Sequence, residues 1–215
     1  MGDGARHIPE ATVSRLPVYL RSLAELLDDN VPTVSSERLA EMAGVNAAKV
    51  RKDLSYLGSY GTRGVGYEVE YLAFQMSREL GLTRDWPVAI MGAGNLGQAL
   101  ANYGGFTDRG FPVACLIDAD ESKVGTRIHG IPVYAPADLP GLVQELGISI
   151  GIIATPATVA QAVADHVVAS GIKSILNFAP TVINVPEGTF LRKVDLALEL
   201  QVLSFYQEHR TPDRV

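Results

Sequence analysis

Residues 87–120 read PVAIMGAGNLGQALANYGGFTDRGFPVACLIDAD, and this stretch decides the fold of the longer part of the chain. The apolar run from Val88 to Met91 is typical of a buried strand. A complete G-x-G-x-x-G follows from Gly92 to Gly97, and then a helix-forming segment from Gln98 to Tyr103. A second apolar run, Val113 to Ile117, leads directly into an aspartate. Strand, glycine turn, helix, strand and acid occur in the order of a dinucleotide-binding βαβ unit.

The three glycines and the aspartate have separate physical roles in such a unit. Gly92 permits the tight turn, Gly94 lets a pyrophosphate approach the backbone, and Gly97 lets the helix pack close to the strand. The positive end of that helix then faces the phosphates. Asp118 lies 21 residues beyond Gly97, where a carboxylate binds ribose hydroxyls and repels a 2′-phosphate, which favours NAD over NADP. A glycine turn without a ligand and a site for another nucleotide, such as coenzyme A, are the alternatives. The candidate cofactor-binding residues here are Gly92, Ala93, Gly94, Asn95, Leu96, Gly97 and Asp118.

Length and composition set outer bounds on the protein. The chain has 215 residues, of which 47% are hydrophobic, enough for one large or two small domains with a core. No apolar run reaches the length of a membrane span, and the first residues lack the apolar segment of a signal peptide. The single cysteine, Cys115, lies in a predicted strand, which indicates a core residue and a reducing cytoplasm. No Cys/His group has the spacing of a metal site.

The amino-terminal region contains the pattern of a helix-turn-helix. Ser14 is the predicted cap of a first helix, which has Pro17 in its first turn and an apolar face of Leu16, Leu20, Leu23 and Leu27. Ser35 or Ser36 begins a short helix with Leu39, Met42 and Ala43 facing inward, Gly44 caps its end, and Asn46 caps the next helix. In that second helix Val50, Leu54 and Leu57 fall in one narrow sector. The opposite side presents Ala48, Arg51, Lys52, Ser55 and Tyr56, which suits a DNA major groove, although an ordinary solvated face has the same composition.

A glycine-rich segment directly after this helix favours DNA binding. Residues 58–67 carry four glycines around Arg63 and are typical of a hairpin, or wing, with the arginine near its tip. An arginine there could enter a narrow minor groove. The segment from Asn46 to Tyr67 contains four basic residues, Lys49 among them, and one acidic residue, although the whole chain has a net charge of −6. A helix from Tyr71 to Leu80 closes this domain, and residues 81–86 form the linker.

The rest of the chain alternates between strands and helices. Strands are predicted at 131–134, 149–154 and 173–178, and helices at 138–146 and 157–169, which indicates a parallel doubly wound sheet. Ligands bind beyond the carboxyl ends of such strands, so Thr155-Pro156 and the Asn177–Pro180 segment, with Ala179 and Pro180, are expected beside the glycine turn near a nicotinamide. The final helix, 194–206, is apolar on more than one side and predicts packing against a partner subunit, the alternative being its own domain.

Four segments together resemble the Rex family of redox-sensing transcriptional repressors. They are VRKDLSYLGSYGTRGVGY (50–67), GAGNLG (92–97), NFAP (177–180) and the apolar terminal helix, and the resemblance covers about residues 10–210. It implies an α/β homodimer: a winged-helix DNA-binding domain (1–84), a Rossmann-like NAD(H)-binding domain (85–192), and a carboxy-terminal helix and tail (193–215) exchanged between subunits. It further implies that NADH binding releases palindromic operator DNA and that NAD+ competes for the site.

The resemblance also implies roles for single residues. Arg51, Lys52, Ser55, Tyr56 and Arg63 match DNA-contacting positions. Tyr103 matches a tyrosine that changes partners with ligand state, and Arg21 and Asp195 match a pair that exchanges contacts across the dimer. Leu196 follows that aspartate and departs from the family's aromatic contact, which puts that contact in doubt.

The residues also suggest how one site distinguishes the two redox states. A pocket lined by Thr155-Pro156 and Ala179-Pro180 offers no obvious carboxylate, and burying an uncompensated nicotinamide cation is costly, so NADH is favoured. A ligand shifts a dimer only if it prefers one conformation, and closure of the Rossmann domains would move the recognition helices off two half-sites.

Two other functions are weighed against repression. A small NAD-dependent dehydrogenase needs a proton donor or acceptor near the nicotinamide, and neither the four histidines nor a Tyr-x-x-x-Lys set supplies one, so no catalytic residue is assigned. A winged-helix regulator that senses coenzyme A or another nucleotide is the second alternative.

Overall fold

The computed structural model describes residues 8–58, 61–62 and 66–209. The chain divides after Arg84 into two compact units, here the amino-terminal unit and the carboxy-terminal unit. Each has its own hydrophobic core.

The amino-terminal unit combines helices with a small antiparallel sheet of order β1-β3-β2. Its helices are α1 (Glu10–Val13), α2 (Leu16–Asp28), α3 (Ser36–Ala43), α4 (Ala47–Leu57) and α5 (Val69–Glu79). Its strands are β1 (Thr33–Val34), β2 (Gly61–Thr62) and β3 (Gly66–Glu68).

The predicted helix-turn-helix is confirmed together with its capping residues. The Ser35 hydroxyl accepts a hydrogen bond from the backbone N–H of Arg38 at 3.1 Å and begins α3. Gly44 ends α3 in the left-handed conformation, with φ of 66°. The Asn46 side chain accepts a hydrogen bond from the N–H of Lys49 at 2.8 Å and begins α4. Local sequence therefore determines both ends of α3 and the start of α4.

The first helices differ from the prediction. Ser14 does not cap α2: its backbone is helical and its N–H donates to Glu10, because the short helix α1 already precedes it. Leu16 and Leu23 are buried as predicted, but Leu27 is 39% exposed. The buried face of α2 instead includes Tyr19 and Leu26, because the Tyr19 hydroxyl donates a hydrogen bond to a buried carboxylate described below.

The carboxy-terminal unit is built on a seven-stranded sheet of order β10-β9-β8-β4-β5-β7-β6. Its strands are β4 (Val88–Met91), β5 (Val113–Ile117), β6 (Arg127–Ile128), β7 (Ile131–Tyr134), β8 (Ile150–Ile153), β9 (Ser174–Asn177) and β10 (Phe190–Lys193). Its helices are α6 (Asn95–Ala101), α7 (Gly104–Thr107), α8 (Leu139–Glu145), α9 (Ala157–Ala169) and α10 (Leu196–Glu208). The pairs are parallel except for β6 with β7. From β4 the chain extends first to one side and then, from β8, to the other, so the predicted doubly wound sheet is confirmed.

Two edge strands were not predicted, and one helix begins earlier than predicted. β10 is exposed along most of its length and β6 has two residues, so neither shows the apolar run that marks a buried strand. The helix after the glycine turn was expected from Gln98 to Tyr103, but α6 begins at Asn95 because Gly94 adopts the extended conformation of an N-cap. Cys115 lies in the core as predicted, and burial raises the pKa of its thiol to about 12.

The terminal helix α10 leaves its apolar side chains uncovered. Every residue of α10 is exposed in the described chain, with Leu196, Leu200 and Leu203 at 62%, 67% and 61%. The exposure of these side chains contradicts the alternative that α10 packs against its own domain. None of the described helices has the length and apolarity to cross a membrane.

Candidate functional site

The three glycines of the turn between β4 and α6 have different structural roles. Gly92 has φ of +101°, and a Cβ there would lie 2.8 Å from the Ala154 carbonyl oxygen. A Cβ on Gly97 would overlap the Gly92 carbonyl oxygen. Gly94 has ordinary extended backbone angles, and a Cβ there would meet no atom within 4 Å. Packing thus requires Gly92 and Gly97, whereas Gly94 borders open space in which a ligand could approach the backbone.

Asp118 connects the end of β5 to this turn. One carboxylate oxygen accepts the backbone N–H of Ala93 at 2.7 Å, and the other accepts the N–H of Asp120 at 2.9 Å. The Lys123 ammonium lies 3.4 Å from Asp118 and also 3.4 Å from Asp120. Desolvation lowers the pKa of Lys123, but the two carboxylates outweigh it and the pKa is raised. No role is predicted for Lys123 from the sequence, where its only signal is the D-x-D-x-x-K spacing after the strand.

The carboxyl ends of β8 and β9 lie on the same edge of the sheet as the glycine turn. The Ala154 N–H donates to Met91 at 2.8 Å, and the Phe178 N–H donates to Ile153 at 2.9 Å. Thr155 follows β8, and its hydroxyl oxygen is buried without a hydrogen-bond partner among the described residues. Such a group is costly unless a ligand or water satisfies it. This orphaned hydroxyl beside an open glycine turn fits a bound nucleotide.

Asn177 explains the shape of the NFAP turn after β9. Its side-chain oxygen accepts the N–H of Ala179 at 2.8 Å, and its amide donates to the Thr181 carbonyl at 3.3 Å. The Ala179 side chain is buried in the core, so contact with a ligand would involve its backbone, whereas Pro180 is exposed, as is Pro156 after β8. The sequence predicts the position of this segment but not that the buried Asn177 side chain holds it.

Tyr103 lies just after α6 and precedes α7. Its side chain is 54% exposed and contacts Phe106 edge to face, with ring centroids 5.1 Å apart. Asn95 and Leu96, in the first turn of α6, are exposed, and Ala93 is buried in the core. The predicted cofactor residues other than Tyr103 follow the carboxyl ends of β4, β5, β8 and β9 and so line one edge of the sheet, with the side chains of Ala93 and Ala179 buried in the core.

The outer face of α4 is basic and exposed. Val50, Leu54 and Leu57 are buried as predicted. The residues on the opposite side are exposed, with Tyr56 half-buried; they are Lys49, Arg51, Lys52 and Ser55. Strands β2 and β3 form the predicted hairpin, with Gly61 opposite Tyr67. Arg63, the expected tip residue, lies outside the described residues.

Arg51 is held by the first turn of α3. Its Nη1 donates to the Ser36 hydroxyl at 2.7 Å and to the Glu37 carboxylate at 2.9 Å. The backbone N–H of Glu37 and the Arg51 hydrogen bond lower the pKa of Glu37. The pKa of Tyr67, on β3 of the hairpin, is raised by burial and also responds to the charges of Arg51 and Glu37. The Arg51 hydrogen bonds therefore join α4 to α3, and the charges of Arg51 and Glu37 act on Tyr67 of the hairpin.

The inner side of α4 carries a buried acid that the sequence analysis treated as one charge in a basic segment. The Asp53 carboxylate accepts hydrogen bonds from Thr12 at 2.9 Å, from Tyr19 at 2.8 Å and, bidentately, from Arg15 at 2.6 and 2.7 Å. Burial alone raises the pKa of Asp53, but these hydrogen bonds outweigh it and the pKa is lowered. Burial and the Asp53 hydrogen bond raise the pKa of Tyr19 to about 12. Asp53 lies three residues after Val50 and four before Leu57, a spacing that places it on the inward face.

Two of the three candidate switch residues, Arg21 and Asp195, lie in different units. Arg21 is exposed on α2. Asp195 caps α10, accepting the Leu198 N–H at 3.4 Å, and forms an ion pair with Lys193 at 3.3 Å. Among the described residues no group of three or more His, Cys, Asp or Glu side chains is placed to hold a metal ion.

Two family models match the chain, one on each unit. Residues 7–55 match a family described as putative DNA-binding protein N-terminus. Residues 83–181 match a family described as CoA binding domain. The second match covers six of the seven strands of the sheet, β4 to β9, and the glycine turn.

Curated relatives match almost the whole chain. A redox-sensing transcriptional repressor Rex from Streptomyces coelicolor is 65% identical over 206 residues, covering 96% of this chain and 80% of the relative. A protein of the same name from Pelotomaculum thermopropionicum is 49% identical and covers 94% of each chain.

Solved structures of RSP, a Rex-family repressor, are similar over nearly the full length. The complex of RSP with NAD+ and operator DNA has a TM-score of 0.88 at 37% identity, covering 94% of both chains. The complex of RSP with NADH has a TM-score of 0.82 at 36% identity, covering 94% of this chain and 95% of RSP.

Proposed function

This chain belongs to the Rex family of redox-sensing transcriptional repressors, and on that premise we propose that it binds palindromic operator DNA as a homodimer and leaves it when NADH binds. It is a transcriptional repressor and not an enzyme. This proposal rests on the observation that one chain combines an exposed basic recognition helix with a glycine turn whose Gly94 borders open space. The relative RSP binds NAD+ together with operator DNA, and it also binds NADH.

The amino-terminal unit is the proposed DNA-binding domain, residues 1–84. Lys49, Arg51, Lys52, Ser55 and Tyr56 of α4 would contact the major groove and its phosphates, and Arg63 the minor groove. The exposure of the α4 face supports the assignment of these residues, and the antiparallel pairing of β2 with β3 supports a wing.

Residues 85–192 form the proposed NAD(H)-binding domain. The backbone of the glycine turn would bind the pyrophosphate, and Asp118 the adenine ribose. The nicotinamide would lie by Thr155-Pro156 and Ala179-Pro180. The Thr155 hydroxyl is buried there and has no hydrogen-bond partner among the described residues. A neutral reduced ring is favoured there because burying the positive ring of NAD+ costs free energy.

Residues 193–215 are the proposed dimerisation helix and tail. The apolar side chains of α10 would pack on the partner subunit, which accounts for their exposure in a single chain. Tyr103, Arg21 and Asp195 would change contacts as NADH closes the dimer, and the half-site spacing of the recognition helices would be lost. Because operator DNA and the nucleotide pool are in the cytoplasm, we place the protein there.

A gel-shift titration tests this proposal directly. A library of palindromic duplexes is used to select an operator, and NADH, NAD+, NADPH and CoA are then titrated separately against the complex. NADH is expected to release the operator at lower concentration than the other three. Release by CoA alone would instead support the alternative that the CoA-binding family match suggests, and an unaffected complex would contradict the switch.

A further inference from the structure

The Arg51 side chain is supported by two residues of the neighbouring helix α3. Ser36 and Glu37 belong to the first turn of α3, and Arg51 lies one turn into α4. Both supporting contacts use Nη1, at 2.7 and 2.9 Å, and the Ser36 hydroxyl also contacts Glu37 at 3.2 Å. The guanidinium is therefore fixed from one side.

The ion pair between Arg38 and Glu41 provides a contrast on the same helix. It joins two residues of α3 three positions apart, at 2.8 Å, and both side chains are exposed. Such a pair contributes little to stability. The Glu37–Arg51 pair is similarly exposed but spans two helices, so its effect falls on the direction of the arginine rather than on the stability of the fold.

We propose that Ser36 and Glu37 are positioning residues that determine base discrimination by Arg51; this rests on the proposed function. A guanine edge accepts two parallel hydrogen bonds from a guanidinium. With Nη1 held by α3, the Nε–Nη2 edge is the one left to make them. An arginine fixed in this direction loses less rotamer freedom when it meets a base, and it cannot easily turn to a phosphate instead.

The negative charge of Glu37 adds a second contribution to discrimination. It repels phosphates of any sequence, and it neutralises Arg51 wherever the base contact is absent. The repulsion acts on operator and random DNA alike, whereas the neutralisation of Arg51 weakens binding only where the base contact is absent. The ratio of operator affinity to random-duplex affinity cancels the first effect and isolates the second.

The experiment uses the full-length protein with Glu37→Gln, and Glu41→Gln as the matched control. The control removes the same charge from the same helix, next to an arginine outside the proposed interface. Fluorescence anisotropy gives affinities for the selected operator and a scrambled duplex of equal length. Circular dichroism and NADH affinity verify folding. Glu37→Gln is expected to lower the ratio about tenfold, within the usual range for one bidentate base contact. Glu41→Gln is expected to change both affinities alike.

A double-mutant cycle with Arg51→Ala separates positioning from general electrostatics. In the Arg51→Ala background, Glu37→Gln is expected to leave the ratio unchanged. An equal loss of ratio in Glu37→Gln and Glu41→Gln, or an effect that persists without Arg51, would overturn the proposal. Failure of the unaltered protein to select any operator would instead contradict the proposed function itself.

Discussion

Asp53 is a buried residue that fixes the position of helix α4 in the amino-terminal unit. Its carboxylate joins α4 to α1 and α2 through Thr12, Arg15 and Tyr19. The Asp53 side chain is 2% exposed, and that of Arg15 is 25% exposed. A buried carboxylate with this many donors contributes stability only while all partners are present.

We predict that Asp53→Asn destabilises the amino-terminal unit by about 3 kcal/mol, because Arg15 and Tyr19 then face an amide that cannot accept all their hydrogen bonds. Hydrogen exchange of the α2 and α4 amides measures the effect. Asp28→Asn, the same change at an exposed position of α2, is the control and should have no effect. Unchanged exchange in Asp53→Asn would show that the cluster is dispensable.

The lowered pKa of Asp53 also makes the stability of this unit depend on pH. The ionised group stabilises the folded state fully above its unfolded pKa of about 4, and the contribution is lost as pH falls through the lower folded value. We expect protection of α2 and α4 to fall below about pH 4 in the unaltered protein. The difference from Asp53→Asn should shrink over that same interval; a constant difference would contradict the assignment.

Asp118 and Lys123 are expected to determine the preference for NADH over NADPH. Asp118→Asn removes the charge that repels a 2′-phosphate and leaves the Lys123 ammonium, now without that neighbour, to attract it. Affinity for both nucleotides should fall because Asp118 also holds the Ala93 N–H. The NADH-to-NADPH affinity ratio should fall about tenfold, the scale of one charge-assisted contact. Titration of both nucleotides measures it, and an unchanged ratio would remove Asp118 from the ribose site.

At the scale of elements, the glycine turn joins β4 to α6 through two positions that allow no side chain. The overlap of a Gly97 Cβ with the Gly92 carbonyl oxygen means that α6 could not keep its place against the strand. Gly94, three residues earlier, has room for a methyl group and backbone angles that alanine adopts readily. The fold therefore needs Gly92 and Gly97, whereas the proposed ligand needs Gly94.

We therefore predict opposite outcomes for two alanine substitutions in this turn. Gly94→Ala should leave the thermal unfolding temperature unchanged and weaken NADH at least about tenfold, because the methyl group occupies the approach of the pyrophosphate. Gly97→Ala should lower the unfolding temperature markedly. Thermal unfolding and NADH titration of both variants check this; normal NADH affinity in Gly94→Ala would place the nucleotide elsewhere.

At the scale of the whole molecule, α10 is the element that a single chain leaves unexplained. Its apolar side chains are exposed on several sides, including Phe205 and Tyr206 at 57% and 63%. Apolar surface removed from water stabilises an interface by about 25 cal/mol per Å². A second subunit is the partner that the family resemblance implies for this helix.

We predict that the double substitution Leu200→Glu and Leu203→Glu converts the protein to a monomer, because two carboxylates would be buried in an apolar interface. Sedimentation velocity measures the mass. Operator affinity should fall with it, since a palindrome engages two recognition helices. A dimer of unchanged mass would show that α10 lies outside the subunit interface.

Local sequence was sufficient for the elements whose signals are short-range. The caps Ser35, Gly44 and Asn46 and the strand from Val88 to Met91 depend on neighbours a few residues away, and all were predicted. The parallel sheet followed from alternating apolar runs. The edge strands β6 and β10 were missed because an edge strand buries little and carries no apolar run.

What the sequence determined by itself was the order of modules and the chemistry each one offers: caps, glycines, apolar faces and a basic helix. Only the tertiary structure decided which polar groups meet, namely Asp53 with Arg15, Arg51 with Glu37, and Asp118 with the Ala93 N–H. These partners are 14 to 38 residues apart in the chain. Periodicity records which side of an element is apolar, but which donors face a given acceptor across two elements depends on how those elements pack.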